Sequence, residues 1–543
     1  MSPSARSEKF TGNARCPLAR LALAALVLAV WASVSLAQTA APQPGGSGAL
    51  PHLGEGSELT PGAERRLGDR IAISLYRDAD TIDDPVLVDY LQGIWQPLLA
   101  AARARGELPP ELDERFAWQL FLIRDRTLNA FALPGGYLGL HLGMIGSAGS
   151  ADELAAVLAH ELSHVTQRHI SRLMTNQSRQ TPLLIAAMIL GALAASKSSD
   201  MASAAVVGGQ ALAVQGQLNF SRGMEREADR IGFGVMTDAG FQGRGVTALF
   251  DKLQQGARLN DSGAFPYLRS HPLHSERIAE AQARLQLAPS AAASANKDSE
   301  AEAGKARLLH ALMAARARAL AAPGVDGLRT LLAEAQRRLA APTTEPPTSP
   351  AGSRDAGVLY AGALAAAQLR DFAAARSLVA RLKPLAAVSP RASQTVELLS
   401  VEMDLLAGAV PPAAATLDLG RATTRAELLL QGRALLAAGR AKEVSERLQT
   451  WVATHPRDAG AWQLLAVAYG NQEQSVRAIR ADAEGRAAQL DYPAALDRLK
   501  AAQGLMRGNP ASADHVEGSI IDTRTRQMEL LVKEQALQDK IDR

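Results

Sequence analysis

Residues His160-Glu161-Leu162-Ser163-His164 are the stretch that decides most of what this sequence predicts. They follow directly on residues 152–159, and the two segments together have the pattern of one helix. On a helix, His160 and His164 lie one turn apart on the same face. Two imidazoles at this separation can bind one Zn²⁺, and Glu161 lies beside them, where a general base is needed. The sequence therefore predicts a helix with a hydrolytic zinc site.

A small β-sheet is predicted just before this helix. Residues 116–123 and 129–133 are apolar segments of strand length, and residues 137–142 alternate in the way a strand does. The turn signal Pro134-Gly135-Gly136 separates the last two segments. An edge strand of this sheet could hold an extended peptide beside the metal by strand addition. A sheet that only packs against the core fits the pattern equally well.

Upstream, residues 61–105 have a helical pattern that is interrupted by the turn signal Asp83-Asp84-Pro85. A zinc site with two histidines needs a third protein ligand. The segment 220–230 offers Glu225 and Asp229, which share one helix face. Glu225 could bind the metal, while Asp229 could accept a hydrogen bond from a ligand imidazole.

Two other residues are weaker candidates for the third ligand. His169 follows the motif, but Gln167 stands where the longer H-x-x-G-x-x-H pattern requires glycine. We therefore interpret His169 as a polar helix residue. Glu227 is predicted to point away from the face that carries Glu225.

The N-terminus has the pattern of a cleavable signal peptide over residues 1–37. Arg15 and Arg20 precede an apolar run at 21–36, and a small-residue cleavage site follows; the alternative is an uncleaved membrane anchor. The single cysteine, Cys16, lies in this segment, so a cleaved chain would form no disulfide and offer no thiolate ligand. Residues 38–58 are predicted to be a linker. The net charge of +3 gives no reason to expect nucleic acid as a partner.

The C-terminal half is alanine-rich and predicted to be helical. We predict a linker at 288–304, a helical repeat domain at 305–510 and a tail at 511–543. The segment 462–469 fits the W-x-x-L-[small]-x-x-Y opening of a tetratricopeptide unit, although a non-repetitive helical bundle remains the alternative. The apolar segments 182–195 and 202–214 are predicted to be helices packed over the active site, with peripheral membrane contact as the alternative.

The ordered set of motifs resembles the HtpX/BepA/CAAX-prenyl-protease family of gluzincins over residues 61–287. The motifs that carry the resemblance are 129–136, 160–164, Ser221-Arg222-x-x-Glu225-x-x-Ala228-Asp229 and the block from Ser270-His271-Pro272 to Arg277-Ile278. The resemblance implies a mainly α fold, in which an α+β protease domain with a small sheet (residues 59–287) precedes the tetratricopeptide-type helices. The predicted signal peptide and the helical repeats are similar to the BepA-like, periplasmic branch.

This resemblance also implies a zinc endopeptidase with one Zn²⁺ per chain. His160, His164 and Glu225 would be the metal ligands, Glu161 the general base, and His271 a gate or fourth ligand. The implied role is quality control of outer-membrane β-barrel proteins: the enzyme would degrade misassembled barrels and assist assembly, with the repeats contacting the barrel-assembly machinery and unfolded substrates.

Two questions stay open at the level of sequence. The protein could act mainly as a chaperone or scaffold through its repeats. His271 could gate the metal, could donate a hydrogen bond to the tetrahedral intermediate, or could only cap or pack a helix. Because Pro272 disfavours helical geometry at the preceding residue, we expect His271 in a loop or at the start of a helix.

Overall fold

The computed structural model of the chain describes residues 59–176, 221–259, 266–287, 297–342, 345–415, 417–508 and 514–541. The predicted signal peptide, its linker and the apolar segments 182–195 and 202–214 lie outside the described residues. Within the described ranges, no helix has both the length and the apolar character needed to span a bilayer.

One mixed β-sheet is present in the described part of the chain, as predicted before the motif helix. Its strands follow the order β1-β2-β4-β3, with β2 and β4 parallel and both outer pairs antiparallel. The strands are β1 (Thr81–Ile82), β2 (Gln119–Ile123), β3 (Ala130–Leu133) and β4 (Tyr137–His141). All residues of β4 are buried. The alternation of this strand therefore does not separate a core face from a solvent face, because helices and neighbouring segments cover both.

The turn before β4 requires its glycines. Gly135 and Gly136 have φ of 73° and 83°, a region that side chains rarely adopt. The first helix packs directly on this turn, because a Cβ at Gly68 would lie 2.0 Å from the Pro134 carbonyl oxygen. This contact fixes the sheet against the N-terminal helix.

The helices of the predicted protease domain surround the sheet and the motif. The first described helix ends at Arg77, and the predicted turn at 83–85 precedes the next one, where the Asp84 side chain accepts a hydrogen bond from the Leu87 amide. These helices are α1 (Pro61–Arg77), α2 (Pro85–Ala104), α3 (Pro110–Arg115), α4 (Leu142–Ser147), α5 (Ala151–Thr166), α6 (His169–Asn176), α7 (Arg222–Asp238), α8 (Arg244–Leu259), α9 (Tyr267–Ser270) and α10 (Ser275–Leu287).

The rest of the described chain is helical, and most of its helices pack against the next one along the sequence. Trp462 and Tyr469, which suggested a tetratricopeptide unit, are buried in α18. The helices are α11 (Lys297–Leu320), α12 (Gly324–Ala340), α13 (Pro350–Gln368), α14 (Phe372–Ala386), α15 (Pro390–Leu406), α16 (Arg425–Ala437), α17 (Ala441–Thr454), α18 (Ala459–Gly470), α19 (Ser475–Ala488), α20 (Tyr492–Gly508) and α21 (His515–Ile541).

Two segments differ from the sequence prediction. The predicted linker 288–304 is helical from Lys297, where α11 begins. The predicted tail contains α21, which packs on α20 because Ile521 and Met528 are buried with Leu499. Neither helix has a clear apolar stripe, so neighbouring helices, and not the local pattern, stabilise them.

Buried side chains continue across the predicted boundary between the protease and repeat domains. A continuous apolar cluster includes Trp95 of α2, Leu158 of α5, Leu312 of α11 and Tyr360 of α13. Helices α11 and α13 therefore belong to the same core as the helix that carries the motif.

Candidate metal centre

The motif lies in α5, which is buried along most of its length. Ser150 caps the helix by accepting a hydrogen bond from the Glu153 amide, and Asp152 and Glu153 place acidic groups in the first turn. Every residue from Glu153 to Thr166 is buried. A buried helix holds its side chains in a few orientations, which is what a metal site needs.

His160 and His164 face each other within α5. Their Nε2 atoms lie 3.0 Å apart. Helix α7 brings Glu225 to the same point, with one carboxylate oxygen 3.5 Å from His160 Nε2 and the other 3.4 Å from His164 Nε2. The helices can approach closely because α7 has Gly232 at the crossing, where a Cβ would lie 3.1 Å from Ala159 and from the His160 amide nitrogen.

His271 completes a cluster of potential metal ligands. It follows α9 directly, outside the helix, as Pro272 led us to expect. Its Nδ1 lies 3.3 Å from His160 Nε2 and 3.0 Å from a Glu225 oxygen. One donor atom from each of His160, His164, Glu225 and His271 lies within 4.8 Å of all the others.

Glu161 lies against this cluster and is fully buried. Its Oε1 is 3.4 Å from His271 Nε2. Neither carboxylate oxygen has a hydrogen-bond partner among the described residues. A buried carboxylate without hydrogen bonds is costly, so this position fits a residue that interacts with a cation, water or substrate.

Asp229 and Arg277 contact the residues of the cluster and hold them in place. An Asp229 oxygen lies 3.0 Å from His160 Nδ1, as the sequence predicts for a carboxylate that orients a ligand imidazole. Arg277 donates to both Asp229 oxygens at 2.6 and 2.8 Å, and its Nη1 lies 2.7 Å from Glu225 Oε2. It also donates to the carbonyl of Pro272, so it links the two carboxylates to the loop that carries His271.

Sequence reasoning missed the role of Arg277. The residue belongs to the block that resembles the family, but nothing in its spacing indicates a contact with α7.

The electrostatics of the cluster favour a cation. Burial lowers the pKa of His160, but hydrogen bonds to Asp229 and Glu225 outweigh burial and raise its pKa to about 10. Burial keeps the pKa of His164 well below its ordinary value. Burial raises the pKa of Glu225, yet the nearby histidines outweigh it and hold this pKa far below its usual range. The carboxylates thus stay ionised and attract positive charge, either a proton on His160 or a metal ion.

His169 is placed differently from its prediction as a polar helix residue. It is fully buried at the start of α6. Its Nδ1 lies 2.8 Å from His164 Nδ1, and its Nε2 lies 3.1 Å from a Glu227 oxygen. Glu227 points away from the cluster, as expected, and meets His169 instead. The sequence could not show this contact, because it depends on how α7 packs against α6.

The residues present fit a zinc ion. Imidazole nitrogen and carboxylate oxygen are ligands that zinc takes in proteins, and the side chains converge from α5, α7 and the loop after α9. Both carboxylate oxygens of Glu161 are buried and lack hydrogen-bond partners among the described residues. A cation at the centre of the cluster would compensate this charge.

Comparison with known proteins finds peptidases similar to this chain. Residues 91–285 match the profile of Peptidase family M48. The chain is 37% identical over 242 residues to the putative beta-barrel assembly-enhancing protease of Vibrio cholerae, an alignment that covers 44% of this chain and 48% of that protein. It is 29% identical over 480 residues to the beta-barrel assembly-enhancing protease of Escherichia coli, covering 87% and 91%. The mitochondrial metalloendopeptidase OMA1 of Schizosaccharomyces pombe is 32% identical over 161 residues, covering 30% and 44%.

Fold and site together define a metallopeptidase of the HExxH type: a buried motif helix beside a small sheet, with a carboxylate supplied by a second helix. Residues 91–285 of this chain thus resemble the peptidases of family M48.

Proposed function

We propose that the protein is a zinc-dependent endopeptidase in which His160, His164 and Glu225 hold the metal and Glu161 is the general base. The observation that carries this proposal is the convergence of the ligand atoms within 4.8 Å beside a buried carboxylate without hydrogen-bond partners among the described residues. When bound there, zinc supplies Lewis-acid chemistry that assists attack of water on a peptide carbonyl.

The chain's own residues have separate roles in the reaction. Glu161 takes a proton from the attacking water and passes it to the leaving amine. Asp229 accepts the Nδ1 proton of His160, so that Nε2 keeps its lone pair toward the cluster. Arg277 pairs with Asp229 and Glu225 and holds both carboxylates in place.

Strand β3 is the candidate site for the substrate backbone. It pairs with β4 on one side, and no described strand pairs with its other side. The motif helix packs against β3. An extended peptide added to this edge would lie along a strand that packs against the motif helix, as the strand-addition hypothesis requires.

We also propose that the enzyme acts in the periplasm on outer-membrane β-barrel proteins, degrading those that are misassembled and assisting the assembly of others. The names of two relatives support involvement in barrel assembly, and the predicted signal peptide supports export. The helices from α11 onward would contact unfolded barrels and the barrel-assembly machinery.

A cleft beside these helices is a candidate for that contact. It has a volume of about 820 Å³ and lies away from the metal ligands. Its walls include Gln96 and Gln119 from the sheet side and Thr423, Trp451 and His455 from the helical side. A photo-cross-linking residue at Gln96 should capture a barrel protein or assembly component in cells. The same residue at exposed Arg329, outside the cleft, should not. Equal capture from both positions would contradict this assignment.

The metal ligands are tested by the zinc content of purified variants. We expect about one Zn²⁺ per wild-type chain. His160→Ala, His164→Ala and Glu225→Ala should each lose zinc, whereas Asp229→Ala should weaken binding by about 10–100-fold. Glu280→Ala, which removes a carboxylate paired with Arg284 on α10, is the control. Full zinc retention by Glu225→Ala would require another third ligand.

Expressing Glu161→Gln in cells distinguishes a peptidase from a chaperone or scaffold. If the protein acts through its peptidase activity, cells with this variant should leave misassembled barrel proteins undegraded. If cells with this variant assemble and clear barrels as wild-type cells do, the scaffold role is the dominant one.

A further inference from the structure

His169 connects the motif helix to a carboxylate that lies outside the ligand cluster. Its Nδ1 is 2.8 Å from Nδ1 of His164, on the side of that ring away from Glu225. Its Nε2 is 3.1 Å from Glu227 Oε2, and Arg172 donates to the same oxygen at 3.0 Å. The contacts therefore run from α5 through α6 to α7.

The role proposed for His164 sets the order of protons along these contacts. A histidine that binds metal through Nε2 needs its lone pair there, so its proton must be on Nδ1. His164 can donate this proton to His169 only if Nδ1 of His169 is an acceptor. The His169 proton then lies on Nε2 and is donated to Glu227, which as a carboxylate only accepts.

We propose that His169, held by Glu227, is a positioning residue that fixes the tautomer and ring orientation of His164 for metal binding. The proposal rests on the proposed function, since it takes His164 to be a metal ligand. His160 has its carboxylate directly, through Asp229 at 3.0 Å, whereas His164 reaches its carboxylate through a second imidazole. Burial of His169 at the start of an otherwise amphipathic helix is then explained by its contacts on both sides.

Zinc affinity of the full chain, measured by competition with a chromogenic chelator, tests this proposal without relying on activity. His169→Leu keeps an apolar side chain of similar size but removes the acceptor, and should weaken zinc binding by about 10–100-fold. His169→Asn places a carbonyl oxygen near the position of Nδ1, and should recover most of the lost affinity. Recovery distinguishes an acceptor from a packing residue.

Glu227→Leu tests the outer end of the chain of contacts, because it removes the oxygen that accepts from Nε2. We expect weaker zinc binding from this variant as well. Glu280→Leu is the matched control, since the Glu280 side chain is 34% exposed and that of Glu227 is 32% exposed. Glu227 is partly exposed, so this variant also provides the test if His169→Leu does not fold.

Wild-type zinc affinity in folded His169→Leu or in Glu227→Leu would overturn the proposal, and so would a His169→Asn variant as weak as His169→Leu. A His164→Ala variant that keeps its zinc would instead show that the proposed ligand set is wrong. The two failures are therefore distinguishable.

Discussion

Glu161 and His271 share a buried corner of the candidate metal centre, where Glu161 Oε1 lies 3.4 Å from His271 Nε2. Because His271 also lies beside Glu225, it can approach the metal or a reacting carbonyl with little movement. Tyr267 stacks on its ring at a centroid distance of 4.6 Å and holds it in this position. In the predicted gate, the imidazole would block the metal in the resting enzyme.

We predict that His271→Ala raises basal cleavage of a generic unfolded substrate such as casein, because the blocking side chain is removed. The measurement is the initial cleavage rate at matched zinc content. A large fall in kcat would instead assign His271 to stabilisation of the tetrahedral intermediate. An unchanged rate in folded, zinc-loaded protein would leave only a packing role.

Arg277 compensates two buried carboxylates, Asp229 and Glu225, and is itself 3% exposed. We predict that Arg277→Met lowers the free energy of unfolding by about 3–5 kcal/mol, because it leaves buried charges unpaired. Urea denaturation of the metal-free chain measures this loss.

The exposed pair Arg226–Glu276 is the control for Arg277. Its side chains are 46% and 57% exposed, so Arg226→Met should cost less than about 1 kcal/mol. Similar losses from the two variants would show that the buried network around Arg277 contributes little.

At the residue scale, the sequence predicted positions that the motif itself specifies. His160, His164 and Glu225 come together in space. The contacts of Arg277 and His169 were not predicted, because they depend on how α10 and α6 pack against α7. A single sequence shows which face of a helix a residue occupies but not which side chain it meets across an interface.

At the scale of elements, the distance between α5 and α7 decides whether Glu225 reaches the histidines. Gly232 permits this distance, since an added Cβ would lie 3.1 Å from Ala159 and the His160 amide nitrogen. The glycine therefore positions the proposed ligand Glu225, which lies two turns away from it on the same helix.

We predict that Gly232→Ala lowers the cleavage rate by roughly 10-fold, because shifts of about 1 Å at a catalytic site can cost about 100-fold. Gly223→Ala on the same helix is the control, since the nearest atom to its Cβ would be 3.7 Å away, an ordinary contact. Equal cleavage rates for the two variants and wild type would show that α5 can shift to accommodate the added Cβ without loss of activity.

The sheet and the motif helix could be predicted because their patterns are local: strand-length apolar runs, a Gly-rich turn and an N-terminal serine cap. Strand β1 could not be predicted, as its two residues are a strand only through pairing with Leu122 and Ile123. Helix α21 was also missed, because buried contacts with α20 stabilise it more than its own pattern does.

At the scale of the whole molecule, the Asp83-Asp84 turn joins the sheet side to the helical region. Asp84 pairs with Arg316 of α11, a side chain that is 1% exposed and also binds Glu402. Asp83 pairs with Arg425 of α16, which also binds Asp458. Arginines from separate helices thus hold one turn, and movement of the helical region would be transmitted to the start of α2.

The Arg425–Asp458 pair should make stability depend on pH. Burial raises the pKa of Asp458, but hydrogen bonds from Arg425 outweigh burial and hold this pKa below its usual value. A depressed carboxyl pKa stabilises the fold above the unfolded value, near 3.9, and this stabilisation is lost as pH falls through the folded value. We predict that Arg425→Met is less stable than wild type at neutral pH.

The difference in the free energy of unfolding between wild type and Arg425→Met should become smaller below about pH 4, because Asp458 of the wild type becomes protonated. Urea denaturation of both proteins across this range measures it. A difference that stays constant with pH would show that Arg425 stabilises the fold by packing alone.

The central claim is that Glu161 is the base of a zinc peptidase, and cleavage by Glu161→Gln beside wild type tests it most directly. Both proteins are purified, their zinc content is matched, and cleavage of casein is followed over time. The account predicts about one zinc per chain in each and a rate lower by about 10²–10⁴-fold in the variant. A fully zinc-loaded Glu161→Gln that cleaves casein at the wild-type rate would contradict it.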